Sequence, residues 1–436
     1  MRNNIFLKSG SKEEKEYCKK YGIELHRLNN GVIIVGIPCH IDFTNWASIN
    51  WDFSGGSYGN IPGAVHFLEH FFNKNIRSLA ERNSLKINAQ TTNIEVKEMV
   101  SGIANPKIKD YGIWTVLDGI KNALESPLNN LINIEKEFET ERQVIKSEIQ
   151  GRITNHNYQV NSNFCKTIYD SFSPFFSIDN ITGSEKDVDN AKIADLKKIK
   201  NNILTPKNLL ISIYTEGDSS ILEELVKILK DQYSNFSNSL KSKNKSTLKL
   251  RSKLNKKLKV NNNYKFDTNI RNGIITYQFN WIFKYKFGSE KYFSLQLLRS
   301  AIQSELFAHS RKNGWGYFTE VNVVNPTDDI SILKLRIDIK KNLIVNIKSE
   351  INKILSQIKT RTKEIIELEY KRQSATSINV QYRLNQIIHG LETYNKIINS
   401  DVMRQNTLSL TSDNLDNLID ETILTPPVTI VTGDLS

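Results

Sequence analysis

The chain has 436 residues and a formal net charge of +12, and 39% of its residues are apolar and 24% are charged. This composition excludes an intrinsically disordered or membrane-embedded chain, and the length suffices for two or three domains whose cores need no disulfide or metal. The three cysteines are odd in number and far apart, which excludes a disulfide framework and a cysteine-based zinc knuckle and is typical of a reducing compartment.

The amino terminus, MRNNIFLKSGSKEEK, contains no apolar core of the kind that a secretory signal peptide needs. The longest apolar stretch, around Val32 to Ile37, is far too short to cross a bilayer. We therefore expect a cytoplasmic chain without a transmembrane segment.

A β-hairpin is predicted near the start of the chain, because residues 23–28 and 32–37 flank an Asn-Asn-Gly turn at 29–31. Apolar residues then alternate with others over 46–53, which predicts a half-buried strand. The elements that follow are a helix over 63–73, a β-rich segment over 86–104, helices over 111–126, 135–156 and 190–203, and a buried strand over 209–214.

The first of these helices contains a motif that carries chemistry, His66-Phe67-Leu68-Glu69-His70. His66 and His70 are four residues apart, so both imidazoles lie on one face of a helix and can reach one metal ion. Glu69 borders that face, where a carboxylate can accept a proton from a metal-bound water; this is the H-x-x-E-H order of the inverzincins. Only seven histidines occur in the chain, so a chance match is uncommon. The alternative is an amphipathic helix with two polar surface histidines.

A catalytic zinc usually takes three protein ligands, so a third ligand must come from another part of the chain. In the predicted helix over 135–156, Glu141 and Glu148 are seven residues apart and therefore share a face. One of these carboxylates could ligate the metal while the other orients a ligand from outside. Periodicity alone is equally compatible with two solvated glutamates.

The positive charge is concentrated in one segment, because residues 241–265 carry ten Lys or Arg and no Asp or Glu. The surrounding chain is rich in Ser, Asn and Lys and lacks apolar periodicity, which is typical of a solvated linker. We therefore divide the chain into an N-terminal module over 1–235, a linker over 236–268 and a C-terminal module over 269–436. The alternative is a functional basic patch, although the segment lacks the interleaved aromatic residues that base stacking uses.

The C-terminal part loosely repeats the order of the first. The step from an alternating strand to a helix near residue 63 recurs as a strand over 274–283 and a helix over 289–309. Strands over 317–324 and 330–340 and helices over 342–358 and 361–374 follow. We predict an α+β fold of two related modules, each a mostly antiparallel sheet packed with helices.

Three segments, GAVHFLEHFF, NAQTT and ETERQVIKSEI, resemble the pitrilysin/insulinase family of zinc peptidases, which includes the mitochondrial processing peptidase. The resemblance implies that His66, His70 and Glu148, which lies 78 residues after His70, bind one zinc ion per chain. It also implies that Glu69 is the general base and that Glu141 is a supporting acid. The fold that it implies is half of a clamshell.

A second signature, SELF followed by Arg311 and GWGY, is similar to a segment of the family whose Arg and Tyr face the zinc and hold the substrate. The resemblance therefore assigns Arg311 and Tyr317 to catalysis and substrate binding. It also implies that the strand with Asn88 and Ala89 pairs with the peptide. The interval from Arg to Tyr is one residue shorter than in the family. The alternative is that Tyr317 only starts a strand and that Arg311 only caps a helix.

The resemblance implies a zinc-dependent endopeptidase with a zinc-bound water as nucleophile. Members of this length hold half of the family's four-module chamber, which implies a homodimer or a heterodimer with a related chain. The short form and the Lys/Asn/Ile-rich composition resemble bacterial enzymes that process peptide precursors, including bacteriocin-type leader peptides, with general oligopeptide degradation as the rival. The alternative function is a non-catalytic subunit of a heterodimeric peptidase. Nucleic-acid binding through the basic segment is not expected.

Overall fold

The structure is a computed structural model that describes residues 4–41, 44–57, 60–92, 95–125, 134–169, 179–236, 263–268, 273–315, 318–341, 346–375 and 379–435. Most of the predicted linker lies outside these ranges, so the division of the chain at that segment stays a prediction. Within the described ranges, no helix combines the length and the apolar character that crossing a membrane requires.

The first part of the chain forms a six-stranded sheet. Its strands are β2 Glu24–Arg27, β3 Ile33–Cys39, β4 Trp46–Ser54, β5 Lys86–Thr91, β6 Glu95–Ile103 and β7 Leu209–Glu216. Their order in the sheet is β2-β3-β7-β4-β6-β5. Only β3 and β7 run parallel among these neighbouring pairs, so the sheet is mostly antiparallel, as predicted.

The two local predictions for this sheet are confirmed. β2 and β3 pair as an antiparallel hairpin, and Gly31 in the turn has a φ of +100°, a conformation that favours glycine. In β4, Ala47, Ile49 and Trp51 are fully buried, whereas the residues between them are half-buried. The alternation thus marks the face of β4 that packs into the core.

Helices cover the core face of this sheet, and α2 packs directly on β5 and β6. The predicted helix over 63–73 is longer than expected and continues to Arg82, because Ile76 and Ala80 extend its buried stripe. Each large apolar side chain buried in this way contributes roughly 1.5–3 kcal/mol. The helices of this part are α1 Lys12–Lys20, α2 Ala64–Arg82, α3 Leu117–Glu125, α4 Ile134–Ile153, α5 His156–Phe164, α6 Asp179–Thr182, α7 Glu185–Asn190, α8 Ile193–Ile203 and α9 Ser219–Ser234, with 3₁₀ turns at Gly112–Val116 and Pro206–Asn208 and a π turn at Cys165–Tyr169.

The second part of the chain forms a five-stranded sheet. Its strands are β8 Asn263–Asp267, β9 Ile274–Phe283, β10 Thr319–Thr327, β11 Ile330–Lys340 and β13 Val428–Gly433, in the order β10-β11-β9-β13-β8. Two further short strands, β1 Phe6–Leu7 and β12 Ile397–Ile398, pair with each other. The helices are α10 Glu290–Lys312, α11 Ile347–Thr360, α12 Thr362–Ala375, α13 Val380–Tyr394, α14 Ser400–Leu408 and α15 Ser412–Leu424.

The two sheets share one topology over five strands, and the first sheet has β2 as an additional edge strand. In each, the last strand in the chain, β7 or β13, lies between a parallel neighbour, β3 or β8, and an antiparallel neighbour, β4 or β9. Two more antiparallel strands complete that side, β6 and β5 in the first sheet and β11 and β10 in the second. The long helices α2 and α10 occupy equivalent places between strands. The prediction of two related α+β modules is therefore confirmed.

Two features of the second sheet differ from the sequence prediction. Residues 263–267, predicted as linker, form the edge strand β8, because they hydrogen-bond to the distant strand β13. The sequence predicts no element after residue 374, but that part of the chain contains β13, which lies inside the sheet between β8 and β9. Both strands depend on pairing between remote segments rather than on local pattern.

One helix from each module packs on the sheet of the other module. α5 packs on β13, where Phe164 joins an apolar cluster with Ile430. α13 packs on β3 and β7, where Leu384 joins a cluster with Val35 and Ile37. These reciprocal contacts cover the sheet faces that point away from α2 and α10.

Candidate metal centre

The helix α2 begins immediately before the histidine motif because of a close backbone contact. Gly63 has a φ of +78°, and a Cβ at this position would lie 2.6 Å from the carbonyl oxygen of Thr182. Gly183 in turn approaches Pro62, since its Cβ would lie 2.9 Å from the Pro62 carbonyl oxygen. Only glycine fits at these two positions without moving the backbone. The contact therefore fixes where the first turn of α2 lies.

Aromatic packing holds α2 against α4. The ring of Phe138 stacks on Phe67 with ring centres 4.8 Å apart and on Phe71 with ring centres 6.3 Å apart. Offset aromatic pairs of this kind contribute about 0.5–1.5 kcal/mol each beyond their buried area. Arg142, whose guanidinium lies 4.7 Å from the ring centre of Phe138, donates to the carbonyl oxygen of Val188 and ties α4 to the following helices. This packing turns the glutamates of α4 toward the histidines of α2.

The structure brings His66, His70 and Glu148 together. Their ligand atoms all lie within 4.8 Å of one another, and among the described residues this is the only such group that could hold a metal ion. The two Nε2 atoms are 3.1 Å apart, and the Glu148 carboxylate oxygens lie 3.6 Å from the Nε2 atom of His66 and of His70. Periodicity left both glutamates of α4 open as the third ligand, and this geometry favours Glu148.

These distances fit a tetrahedral zinc site. Two ligand atoms that each bond zinc at about 2.0–2.1 Å lie about 3.3–3.4 Å apart. The observed separations of 3.1 and 3.6 Å are on either side of that value. Two imidazole nitrogens face each other here, and their lone pairs repel unless a proton or a metal ion lies between them. The side chain of Glu148 is 38% exposed, which leaves that side of the site open to solvent.

Charge in the site is distributed unevenly between the two histidines. His70 Nδ1 lies 2.7 Å from Glu141 Oε1, which leaves Nε2 to face His66. Burial opposes the charged form of His70, but the hydrogen bond to Glu141 and the nearby carboxylate of Glu148 raise the pKa of His70 to about 9. Burial, together with the neighbouring His70, lowers the pKa of His66 to about 3. The hydrogen bond from His70 holds the pKa of Glu141 below its usual range, and the nearby His70 ring does the same for Glu148. The two acidic groups around the histidines therefore favour a positive charge at this point, which a bound metal ion would supply.

We expect Glu141→Gln to weaken zinc binding roughly 10- to 100-fold, because an outer carboxylate fixes the tautomer and orientation of a ligating histidine. The matched control is Glu137→Gln. Glu137 lies one turn earlier on α4 and also pairs with Lys74, but within the described ranges it has no hydrogen bond to His70. Competition with a chromophoric chelator measures both affinities. Equal affinities in the two variants would contradict the supporting role of Glu141.

Glu69 is buried beside the ligand cluster. Its side chain accepts a hydrogen bond from the hydroxyl of Thr91, with 2.5 Å between Thr91 Oγ1 and Glu69 Oε2. Burial raises the pKa of Glu69, and the hydrogen bond from Thr91 opposes this shift. A carboxylate with a raised pKa is a stronger base than one in water, which suits proton abstraction from a nucleophilic water.

A second buried carboxyl near Glu69 was missed by sequence reasoning. Glu98 on β6 is 7% exposed, lies opposite Ala89 on β5 and has one carboxylate oxygen without a hydrogen-bond partner among the described residues. Burial, together with the neighbouring Glu69 carboxylate, raises the pKa of Glu98 well above its usual range. A signal was present, because Glu98 occupies a core-facing position between Val96 and Val100 in an alternating strand.

The buried Glu98 predicts a pH-dependent loss of stability. Because its pKa is raised in the folded chain, folding favours the protonated form, and stability falls as the pH rises from about 4.3, the value in an unfolded chain, through the folded pKa. Glu98→Gln removes this titration, so we expect its melting temperature relative to the parent chain to rise between pH 4.5 and pH 8. Thermal melts of the zinc-free proteins measure this, with Glu95→Gln on the same strand as control. A constant difference across this range would contradict the raised pKa.

The expected substrate-binding residues lie in three places. Asn88 and Ala89 are on β5, the outermost strand of the six-stranded sheet, and the Asn88 side chain is exposed. Arg311 is exposed in the last turn of α10, with its guanidinium 5.0 Å from the ring centre of Phe307. Tyr317 lies outside the described residues. The substrate-binding roles of these residues therefore stay predictions.

No protein-family model matches the sequence, and no curated protein matches it. Solved structures do match. A protease from Helicobacter pylori aligns with a TM-score of 0.72 over 94% of this chain and 99% of its own, at 16% identity. A domain from Pseudomonas fluorescens, described as an inactive domain of a peptidase M16, aligns with a TM-score of 0.73 over 95% of this chain and 98% of its own, at 12% identity. The chain has the fold of the M16 peptidases.

The M16 fold agrees with the fold that the resemblance to the pitrilysin/insulinase family implied. The periplasmic protease PqqL from Escherichia coli has this fold as well, with a TM-score of 0.70 and 13% identity. The match covers 94% of this chain and 47% of PqqL, so the chain spans about half the length of that protease. At such identities the M16 likeness shows the fold, and the function must be argued from the site.

Proposed function

We propose that this chain is a zinc-dependent endopeptidase. The observation that carries the proposal is the convergence of His66, His70 and Glu148 on one point, with the buried carboxylate of Glu69 one residue from a ligand on the same helix. Neighbours described as proteases support a peptidase role for the fold. The ligand set of two imidazoles and one carboxylate is that of many catalytic zinc sites.

Each residue of the site has a distinct role in the proposed mechanism. His66, His70 and Glu148 would hold the zinc ion, and Glu141 would orient His70. A bound zinc supplies Lewis-acid chemistry, which lowers the pKa of a coordinated water and polarises a carbonyl. Glu69 accepts the proton of the attacking water and passes it to the leaving amine. Exclusion of bulk water from the buried side of Glu69 strengthens these electrostatic effects.

Peptide binding is proposed along β5. This strand ends the sheet, so its outer backbone groups can pair with an extended peptide, and Asn88 and Ala89 lie at its centre. Arg311 and Tyr317 are proposed to hold the substrate from the C-terminal module and to stabilise the developing oxyanion. In a chain that spans half of PqqL, a second chain would complete the chamber, so we propose a homodimer or a heterodimer with a related chain. Sedimentation of the purified chain with and without such a partner distinguishes the two.

The alternative is a non-catalytic subunit. One of the structural neighbours is described as an inactive M16 domain, which is compatible with this alternative. The site residues favour activity, because the ligand group and the base are all present in this chain. A cytoplasmic location is part of the proposal and rests on the three cysteines, none of which forms a disulfide within the described residues, although PqqL is described as periplasmic. Cell fractionation would test the location.

The proposed substrates are peptides or peptide precursors, with removal of a leader peptide as the favoured role and general oligopeptide degradation as the rival. The experiment incubates the zinc-loaded chain with a peptide library and with precursor peptides that carry a leader, followed by mass spectrometry. We expect internal cleavage that stops when a chelator removes the metal. One preferred cut in precursors supports leader removal, whereas scattered cuts in many peptides support degradation. No cleavage by a chain that holds zinc, alone and with a related partner chain, would favour the non-catalytic subunit.

A further inference from the structure

We propose that Thr91 is a positioning residue for the general base, which fixes the Glu69 carboxylate so that one oxygen stays free to take the proton of the attacking water. The proposal rests on the proposed function. It adds a residue to which neither the motif nor the resemblance assigned a role.

The contact itself is short and buried. Thr91 Oγ1 and Glu69 Oε2 are 2.5 Å apart, and the two residues are 8% and 9% exposed. An ionised carboxylate can only accept, so the threonine hydroxyl is the donor. Hydrogen bonds to a charged group are about twice as strong as neutral ones, and burial removes competition from water. The bond therefore occupies Oε2 and leaves Oε1 for the proton transfer.

Thr91 is the only residue in the described part of the chain whose side chain hydrogen-bonds to the Glu69 carboxylate. A glutamate side chain has three rotatable bonds, so a base without this partner would sample several rotamers. Catalysis depends on holding the reacting atoms within a near-attack geometry, and a misplacement of about 1 Å can cost roughly 100-fold in rate. The Thr91 hydroxyl thus restricts the Glu69 carboxylate, the group proposed to move the proton, to one rotamer.

The strand supplies a rigid support for this hydroxyl. Thr91 is the last residue of β5 and pairs with Val96 of β6. The next residue is held from both sides, because the Thr92 amide donates to the Glu95 carbonyl oxygen at 2.9 Å and the Thr92 carbonyl oxygen accepts from Ser57 at 3.0 Å. A functional group is positioned most accurately when its support is itself fixed by backbone bonds. The end of β5 therefore positions Glu69 across the gap between the sheet and α2.

The test compares zinc-loaded parent, Thr91→Val and Thr91→Ser chains with an internally quenched peptide. Valine keeps the branched shape and removes the donor, whereas serine keeps the donor. We expect Thr91→Val to lower kcat by roughly 10- to 100-fold with KM and zinc content unchanged, and Thr91→Ser to stay within about threefold of the parent. The matched control is Thr205→Val, which removes a buried hydroxyl that has no partner among the described residues. A structural role would lower the melting temperature without this split between kcat and KM.

Two results would overturn the proposal: a kcat of Thr91→Val within threefold of the parent, or equal losses in the valine and serine variants. If Thr91→Val does not fold, Thr91→Ala tests the same donor with less steric demand. Crystal structures of the zinc-loaded parent and the valine variant separate this proposal from the proposed function. A parent chain that holds zinc but cleaves no peptide would contradict the proposed peptidase function. In that case, the crystal structures still test the positioning role of Thr91. If Glu69 keeps its rotamer in Thr91→Val, that role is contradicted; if Glu69 adopts a different rotamer, it is supported.

Discussion

Replacing Glu69 with Gln is expected to lower kcat for peptide cleavage by roughly 10²- to 10⁴-fold while the chain keeps its zinc. Glutamine has nearly the same shape and can still accept from the Thr91 hydroxyl, but its amide cannot take a proton from water at neutral pH. Because Glu69 lies beside the three ligands and is not one of them, zinc binding should persist. Steady-state kinetics and metal analysis of the same preparation measure the two quantities together.

The matched control is Glu81→Gln, which makes the same change at an exposed position near the end of the same helix. It should leave both kcat and zinc content unchanged. Cleavage by Glu69→Gln at the rate of the parent would exclude Glu69 as the base. Loss of zinc together with activity would mean that the variant perturbs the metal site, and the role of Glu69 would then need a different assignment.

Removal of a metal ligand should have an effect of similar size on zinc affinity. Structural zinc sites with four ligands bind with apparent free energies of about 10–16 kcal/mol, or roughly 2.5–4 kcal/mol per ligand. His66→Ala should therefore weaken zinc binding roughly 10²- to 10³-fold, and cleavage should fall in parallel at limiting zinc. The Nε2 atom of His66 lies 3.1 Å from that of His70, so its loss also removes one of the two nitrogens that face each other.

His26→Ala provides the control for a lost histidine. His26 is on β2, at the opposite edge of the six-stranded sheet from β5, and its ring pairs with Glu24 at 2.8 Å. We expect this variant to bind zinc as the parent does. Titration of the metal-free proteins with zinc measures both affinities, and an unchanged affinity in His66→Ala would exclude His66 as a ligand.

Local pattern was sufficient for the core of the N-terminal module. The hairpin at 29–31, the alternation over 46–53 and the four-residue spacing of His66 and His70 each describe a local geometry, and the structure has all three. The choice of Glu148 as the third ligand came from the resemblance rather than from periodicity, which places Glu141 and Glu148 on the same face. Their different positions around His70 arise from packing of α4 against α2, which a helical pattern does not encode.

In the C-terminal module, two strands could not be predicted from the sequence because they form by pairing between remote segments. β13 lies between β8 and β9, and its short sequence has no partner nearby in the chain that would mark it as central. β8 comes from a Lys- and Asn-rich segment whose composition is that of a linker. Glu98 was missed for a related reason, since an alternating pattern predicts an apolar residue at each buried position. Burying a charged carboxylate is costly, which is why the pKa of Glu98 is raised and its protonated form is favoured in the folded chain.

The central claim, zinc-dependent peptide cleavage at this site, is tested most directly by an activity titration. The metal-free chain, assembled with its partner if it forms a heterodimer, receives increasing zinc, and kcat/KM for an internally quenched peptide is measured at each step. The account predicts that activity is absent without metal, rises in proportion to zinc and levels off at about one ion per chain, the capacity of a site with three protein ligands. Cleavage that does not depend on zinc, or no cleavage once one ion is bound, would contradict it.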